Sequence, residues 1–305
     1  MPLGQSVDQR IVGQATLARV LWLQGFRDQA LQLAEDSVMA ACDQQQAIVT
    51  CYVLVEALVP LMLLSDKRER AAQAIALLGE VSARAGLSVS QACCRCFDEY
   101  LHSMGEAAAE RLNAFRNALD DLESLEFGAP RAMLAGQYGL ALGRSGQRDQ
   151  GIATVVRALA QCDETGDHWY AGELRRIHGE LLLMAEGGAP PSVAVVRDAE
   201  VCFVAALEDS LMRGCRSLQL RAAISLGSLW HAQGRSAEAV GLIRSATTAV
   251  AEGLDWDDFD AATRLLQIAT RASAHPYAAS GIRPAGQPAA ANTSEAPPQK
   301  VAQRG

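Results

Sequence analysis

Cys93-Cys94-Arg95-Cys96 is the densest set of potential ligands in the chain. Thiolates at short spacing can hold zinc or sense redox state, but a closed zinc site needs four ligands, commonly as two separated pairs. On a helix Cys93 and Cys96 share a face, Cys94 points elsewhere, and His102 lies off that face. The pattern therefore predicts small buried hydrophobes, and no metal is expected. Glu173, Arg176 and Glu180 form the second set. Their i, i+3, i+7 spacing places two carboxylates and a guanidinium on one helical face, suited to holding a peptide or a small anion, or to an ion-pair ladder along the helix. Arg19, Arg144, Arg221 and His231 occupy comparable positions in other segments, so these seven residues are the expected lining of a partner- or ligand-binding groove.

Other clusters carry less chemistry. His168-Trp169-Tyr170 follows Asp167 at an expected helix start and reads as packing between segments. Asp255-Trp256-Asp257-Asp258-Phe259-Asp260 lacks the alternation and bidentate glutamate of a calcium loop and reads as carboxylates complementing the dipole of a last helix. Lysine occurs only at Lys67 and Lys300, against 25 arginines. Neither follows the glycine-rich stretch of a phosphate-binding loop, and a kinase or Schiff-base lysine is equally unsupported. Gly143-Arg144-Ser145-Gly146 has the wrong spacing for a nucleophile elbow. No catalytic residue and no cofactor are assigned, so the chain is expected not to be an enzyme.

What would position these residues is helical. The chain has 305 residues, 50% hydrophobic and 20% charged, with a formal net charge of −8. It can bury a large core, and it lacks the basic clusters that a nucleic-acid surface requires. Met1 to Asp8 shows no basic stretch followed by an apolar run, and the scattered cysteines suit reduced thiols, so a cytoplasmic location is expected. Ala47–Leu64 is apolar but carries Glu56 and Pro60 and falls short of the roughly 20 residues a bilayer needs. It is expected to be a buried helix, with no membrane contact. Five of the ten prolines lie after Ala274. Residues 271–305, rich in alanine and proline, are expected to be a disordered tail, residues 1–10 an N-terminal extension, and residues 11–270 the folded domain.

Within that domain apolar residues recur at helical spacing, with no sustained alternation of period two. The class is all-α. Gly25-Phe26-Arg27-Asp28-Gln29-Ala30, Gly146-Gln147-Arg148-Asp149-Gln150-Gly151 and Gly234-Arg235-Ser236-Ala237-Glu238-Ala239 share a glycine, four mostly polar residues and a small residue. Each lies between two apolar helical faces, and the glycines are 121 and 88 residues apart. Repeats of ~40 to ~44 residues fit both gaps, the period of stacked helix pairs. Further pairs are expected from Cys51 to Val81 with a turn at Ser65-Asp66, from Ala92 to Leu125 with a turn near Met104-Gly105-Glu106, and from Tyr170 to Arg213 across a longer insertion at Ala185 to Ser192. The sum is an α-solenoid of about six antiparallel helix pairs with a concave inner groove.

At these residues the chain resembles a tetratricopeptide-repeat array, and in particular the C-terminal helical region of large bacterial signalling ATPases, adenylate cyclases and winged-helix or LuxR-type transcriptional regulators. The stretches that carry the resemblance are Ala18-Arg19-Val20-Leu21-Trp22-Leu23-Gln24-Gly25, Glu173-Leu174-Arg175-Arg176-Ile177-His178-Gly179-Glu180-Leu181, Ala199-Glu200-Val201-Cys202-Phe203, Ser217-Leu218-Gln219-Leu220-Arg221-Ala222 and Glu252-Gly253-Leu254-Asp255. It spans residues 11–270. It implies a regulatory interaction domain whose partner is a protein, such as an ATPase, a cyclase or a DNA-binding regulator, or a segment of a parent regulator. A small-molecule effector in the same groove is the alternative. No nucleotide-binding, cyclase or winged-helix module accompanies the array within these residues, so none of those activities is carried over.

Overall fold

A computed structural model describes residues 9–105, 108–125, 130–184 and 190–274. The expected extension before Gln9, most of the Ala185 to Ser192 insertion, and the tail after Ala274 lie outside the described residues. Thirteen helices and no strands occur among those described. They are α1 (Gln9–Leu23), α2 (Arg27–Asp43), α3 (Ala47–Leu64), α4 (Arg68–Ala85), α5 (Ser88–Ser103), α6 (Ala108–Ser124), α7 (Arg131–Arg144), α8 (Arg148–Thr165), α9 (Ala171–Leu183), α10 (Val193–Met212), α11 (Arg216–Ala232), α12 (Ser236–Thr248) and α13 (Asp257–Ala274). Six consecutive pairs, α1/α2 to α11/α12, are followed by the single helix α13. Helix α3 is continuous but passes through a π-helical turn at Leu54–Leu58. Most of it, 78%, is buried, which makes it a core helix of the array.

One turn recurs seven times. The N–H of the residue just before a helix returns to a carbonyl five residues back, as in Phe26 N–H to Leu21 O at 2.9 Å, and again at Gln46, Lys67, Leu87, Gln147, Cys215 and Arg235. The residue before each donor is left-handed, which closes the preceding helix in a Schellman turn. Glycine fills that position at Gly25, Gly86, Gly146, Gly214 and Gly234, whereas Gln45 (φ 55°) and Asp66 (φ 52°) fill it with side chains.

The odd-numbered helices form an inner layer, each packed on the next, and the even-numbered helices brace them from outside. Small residues set the approach between partners. A Cβ on Gly151 would lie 2.5 Å from the Gly139 carbonyl oxygen, so α7 and α8 touch backbone to backbone. Similarly, a Cβ on Gly179 would meet the Phe203 ring at 2.5 Å, fixing α10 against α9. One apolar core runs from Ile11 through Leu181 and takes in Leu218 and Trp256, while smaller clusters serve α10 to α13.

The inner layer closes. Helix α11 packs against α1, so the array curls into a ring and the last pairs meet the first. The seam is polar as well as apolar: Glu252 N–H donates to Gly25 O at 3.2 Å, and the Glu252 carboxylate accepts from the Asp28 and Gln29 amides at 3.2 and 3.1 Å.

Candidate functional site

Ring closure brings together side chains that are far apart in sequence. Glu173, in the first turn of α9, lies at the centre and is only 2% exposed. Arg176, one turn on, grips it with two hydrogen bonds of 2.9 and 2.8 Å, and its third nitrogen, Nη1, reaches Glu180 and Ser225. From α11, Arg221 donates to Glu173 at 2.9 Å, to Asp258 of α13 at 3.1 Å, and to the Leu64 carbonyl at the end of α3 at 2.6 Å. Burial pushes the Glu173 and Asp258 carboxyls up, but the facing guanidiniums outweigh it, Arg176 and Arg221 at Glu173 and Arg221 and Arg27 at Asp258. Both therefore lie below the usual carboxylate range. Burial likewise opposes the charge on Arg176 and Arg221, and the carboxylates overcome it.

Arg27 completes the seam. Its side chain is wholly buried, lies between the rings of Trp22 and Trp256 at 5.3 and 5.1 Å, and pairs with Asp258 at 3.1 Å and Ser217 at 2.9 Å. Flanking aromatic faces stabilise a desolvated guanidinium through their quadrupoles, and one nitrogen, Nη1, has no hydrogen-bond acceptor among the described residues. Burial lowers the Arg27 pKa against the pull of Asp258.

Of the seven expected groove residues, Glu173, Arg176, Glu180 and Arg221 meet in this network. Arg19 faces the same interior from α1, paired with Glu56 at 3.0 Å and lying 5.4 Å over the Trp169 ring. The π-helical turn of α3 is where Glu56 sits, and burial raises its carboxyl despite Arg19. Arg144, at the end of α7, stands close enough to the Tyr100 phenol to act on its ionisation, and it has neither ion pair nor hydrogen bond among the described residues. His231 stands apart: its Nδ1 meets Ser236 Oγ at 2.8 Å across the α11–α12 turn.

The open concave groove anticipated from the repeats is, at this level, an enclosed interior. Curvature brings α11 onto α1, so residues expected to face solvent satisfy one another across the ring. Access persists at one side, where Glu180 is 34% exposed and Arg144 is exposed. Tyr100 and Tyr170 are buried beside the network, and burial pushes the Tyr100 hydroxyl up to about 12 and that of Tyr170 upward as well. The Trp169 and Tyr170 rings lie 5.1 Å apart, and Tyr170 packs against α7, where a Cβ on Gly136 would lie 3.4 Å from its ring.

Arg27, Asp258, Tyr100 and Tyr170 were not anticipated in this role. Arg27 sits in the repeated polar stretch after Gly25, and Asp258 in an acidic first turn, which it does occupy in α13. The available signal was the pair of aromatics, Trp22 and Trp256, each near one of these charges in sequence.

The cysteine cluster lies elsewhere. Cys93 and Cys96 are buried, Cys96 donates to Ala118 O at 3.1 Å and Cys94 to Ile75 O at 3.4 Å. Burial raises all three thiols, Cys96 to about 12, which leaves little reactive thiolate at neutral pH. Among the described residues no group of three or more His, Cys, Asp or Glu is arranged to hold a metal ion.

No family model and no curated protein matches the chain. Among solved structures, it is similar to a circular tandem repeat protein with novel repeat topology and enhanced subunit contact surfaces, at 14% identity and a TM-score of 0.27, over 89% of this chain and 73% of that one.

Proposed function

We propose that this chain is a non-catalytic, tetratricopeptide-type regulatory domain of bacterial signal transduction or transcription control. In the cytoplasm it binds a protein partner, or a segment of a parent regulator. The carrying observation is the architecture: six stacked helix pairs among the described residues, on one large apolar core and two smaller clusters, the arrangement that repeat proteins use to present extended binding surfaces. Because Glu173 is enclosed, the partner's contact on the inner face is the exposed side formed by Glu180 and Arg144, with Arg176 and Arg221 behind it. Affinity capture of the tagged chain from its native host, followed by mass spectrometry, tests this. Stoichiometric recovery of an ATPase, cyclase or DNA-binding protein is expected, and Glu180→Ala with Arg144→Ala should reduce it at least tenfold without changing helicity. Unchanged recovery would exclude the inner face as the docking surface.

The second reading, a small-molecule effector at the same centre, is favoured by a separate observation. One buried donor beside that centre lacks an acceptor: among the described residues the Trp169 Nε1–H has no hydrogen-bond partner. Native interiors pair such groups almost without exception. Saturable thermal stabilisation by a metabolite separates the two readings, because a ligand that binds only the native state raises the melting point.

A further inference from the structure

Helix α10 belongs to the outer layer, and only one of its sides is covered. Ala199, Phe203 and Ala206 are buried, with the Phe203 ring against Gly179 of α9. The other side is apolar and open. Of the twelve large apolar side chains exposed among the described residues, Val193, Val201, Leu211 and Met212 all belong to this helix. Val201 is 63% exposed and Met212 80%. Ala194, Arg197, Val201, Val204, Glu208 and Leu211 follow one another at alternating steps of three and four residues, the seam spacing of a coiled coil. All are exposed except Val204, which is half-buried. A depression of about 370 Å³ lies on this face, lined by Arg197, Glu200, Val201, Val204, Ala205 and Glu208. These six form two overlapping sets spaced i, i+3, i+4 and i+7. Each set is the hole that receives one knob from a facing helix.

The order of the residues selects that helix. The stripe is symmetric about the point midway between Cys202 and Phe203. Reversing its direction sets Arg197 against Glu208, Val201 against Val204, Ala194 against Leu211 and Val193 against Met212. An antiparallel second α10, related by a twofold axis, makes each of these contacts twice. Glu200 then faces Ala205 rather than a carboxylate. A parallel copy would instead place Arg197 on Arg197 and Glu208 on Glu208, and like charges repel. Both charges are available for the purpose, since neither has an ion pair or hydrogen bond among the described residues. Glu200, by contrast, is already engaged by Arg235 and Trp230.

We propose that the open face of α10 docks on its counterpart in a second copy of this chain, forming a twofold dimer through antiparallel α10 helices. The contact is on the outer layer and is independent of the functional reading of the inner face. A single helix pair buries less than the roughly 1,200–2,000 Å² of a stable complex, so the dimer is expected to dissociate on dilution.

The test is sedimentation velocity on the full chain over a wide range of concentration, with circular dichroism to check that each variant keeps its helicity. A reversible monomer–dimer equilibrium is expected. Arg197→Glu and Glu208→Arg, each on an exposed side chain, should separately weaken it by roughly tenfold or more, as misplaced interface charges do. The double variant Arg197→Glu/Glu208→Arg restores both pairs in the antiparallel arrangement and should return to within about threefold of the parent. Val201→Asp should abolish the dimer. A chain that stays monomeric at every concentration overturns the proposal, and the face then serves another segment or another protein. A dimer that none of these variants weakens overturns it too, since the copies would meet elsewhere. If the single variants weaken the dimer but the double variant does not recover, the antiparallel register is wrong.

Discussion

Glu173 illustrates how the centre is held at the scale of single residues. It accepts from two arginines on different helices while having almost no contact with water, so its charge is stable only as long as both remain. Glu173→Gln removes the negative charge but keeps the shape, leaving Arg176 and Arg221 to face each other with less compensation. Breaking a buried pair in this way typically costs about 3–5 kcal/mol, and urea unfolding at pH 7 should show a loss of that order. The pH dependence has a definite sign. Glu173 and Asp258 have depressed folded pKa values. Their contribution is therefore complete above the unfolded carboxylate pKa, near 4, and is lost as pH falls from there through the lower folded values. His178, lowered by burial, adds an earlier loss that begins as pH drops below its unfolded value of about 6.5. Unfolding free energy measured from pH 7 to 3 should decline in both windows, and Glu173→Gln should flatten the lower one. Half of this site was legible in the sequence. The i, i+3, i+7 spacing identified Glu173, Arg176 and Glu180, and repeat register added Arg221. Asp258 and Arg27 were hidden because their partners lie on helices at the other end of the chain, where no local period reports them.

At the level of helices and turns, the glycines visible in the sequence mark only some of the joints. Gly25, Gly146 and Gly234 revealed the repeat, but the same Schellman turn is made at Gln45 and Asp66, where a side chain masks it. A non-glycine residue in the left-handed region costs roughly 1–2 kcal/mol. The chain tolerates that cost because the surrounding packing dictates the turn. Gln45→Gly should recover part of it, raising stability by about 0.5–1 kcal/mol net of glycine's greater freedom in the unfolded state. Asp66 is a poorer test, since its carboxylate also pairs with Arg68 at 2.7 Å. The opposite effect belongs to helix crossings. Gly151→Ala places a methyl group 2.5 Å from the Gly139 carbonyl oxygen, so α7 and α8 must separate. Overpacking of this kind costs about 1–3 kcal/mol, and the midpoint of chemical unfolding should fall accordingly. If Gly151→Ala unfolds at the same denaturant concentration as the parent, the backbone contact between α7 and α8 is not what sets their spacing.

On the scale of the whole molecule, helical period and repeat length predicted about six pairs, and the described residues form six pairs and a further helix, α13. Closure was not predictable in the same way. Whether a stack of pairs remains open or curls onto itself depends on small rotations accumulated at each interface, and none of those is written in the spacing of apolar residues. The residues that stabilise the closed form are nevertheless identifiable. Arg27 is held by Ser217, Asp258, Trp22 and Trp256, contributed by α1, α11, α13 and the turn before it, so one side chain joins the first pair to the last. In an open repeat array, stability is shared between neighbours and the terminal units fray first. A closed ring should instead protect its ends. Native-state hydrogen exchange should therefore find α1 and α2 nearly as protected as α7 and α8. Arg27→Met keeps a flexible apolar chain between the two tryptophans but removes the charge and its hydrogen bonds. It should increase exchange at least tenfold in α1, α2 and α13 while leaving α5 to α8 unchanged, and scattering should report a larger radius of gyration. Uniformly faster exchange across every helix would mean that Arg27 supports the core as a whole. In that case the ring would be maintained by the apolar contact of α1 with α11, with the buried guanidinium serving local packing around Trp22 and Trp256.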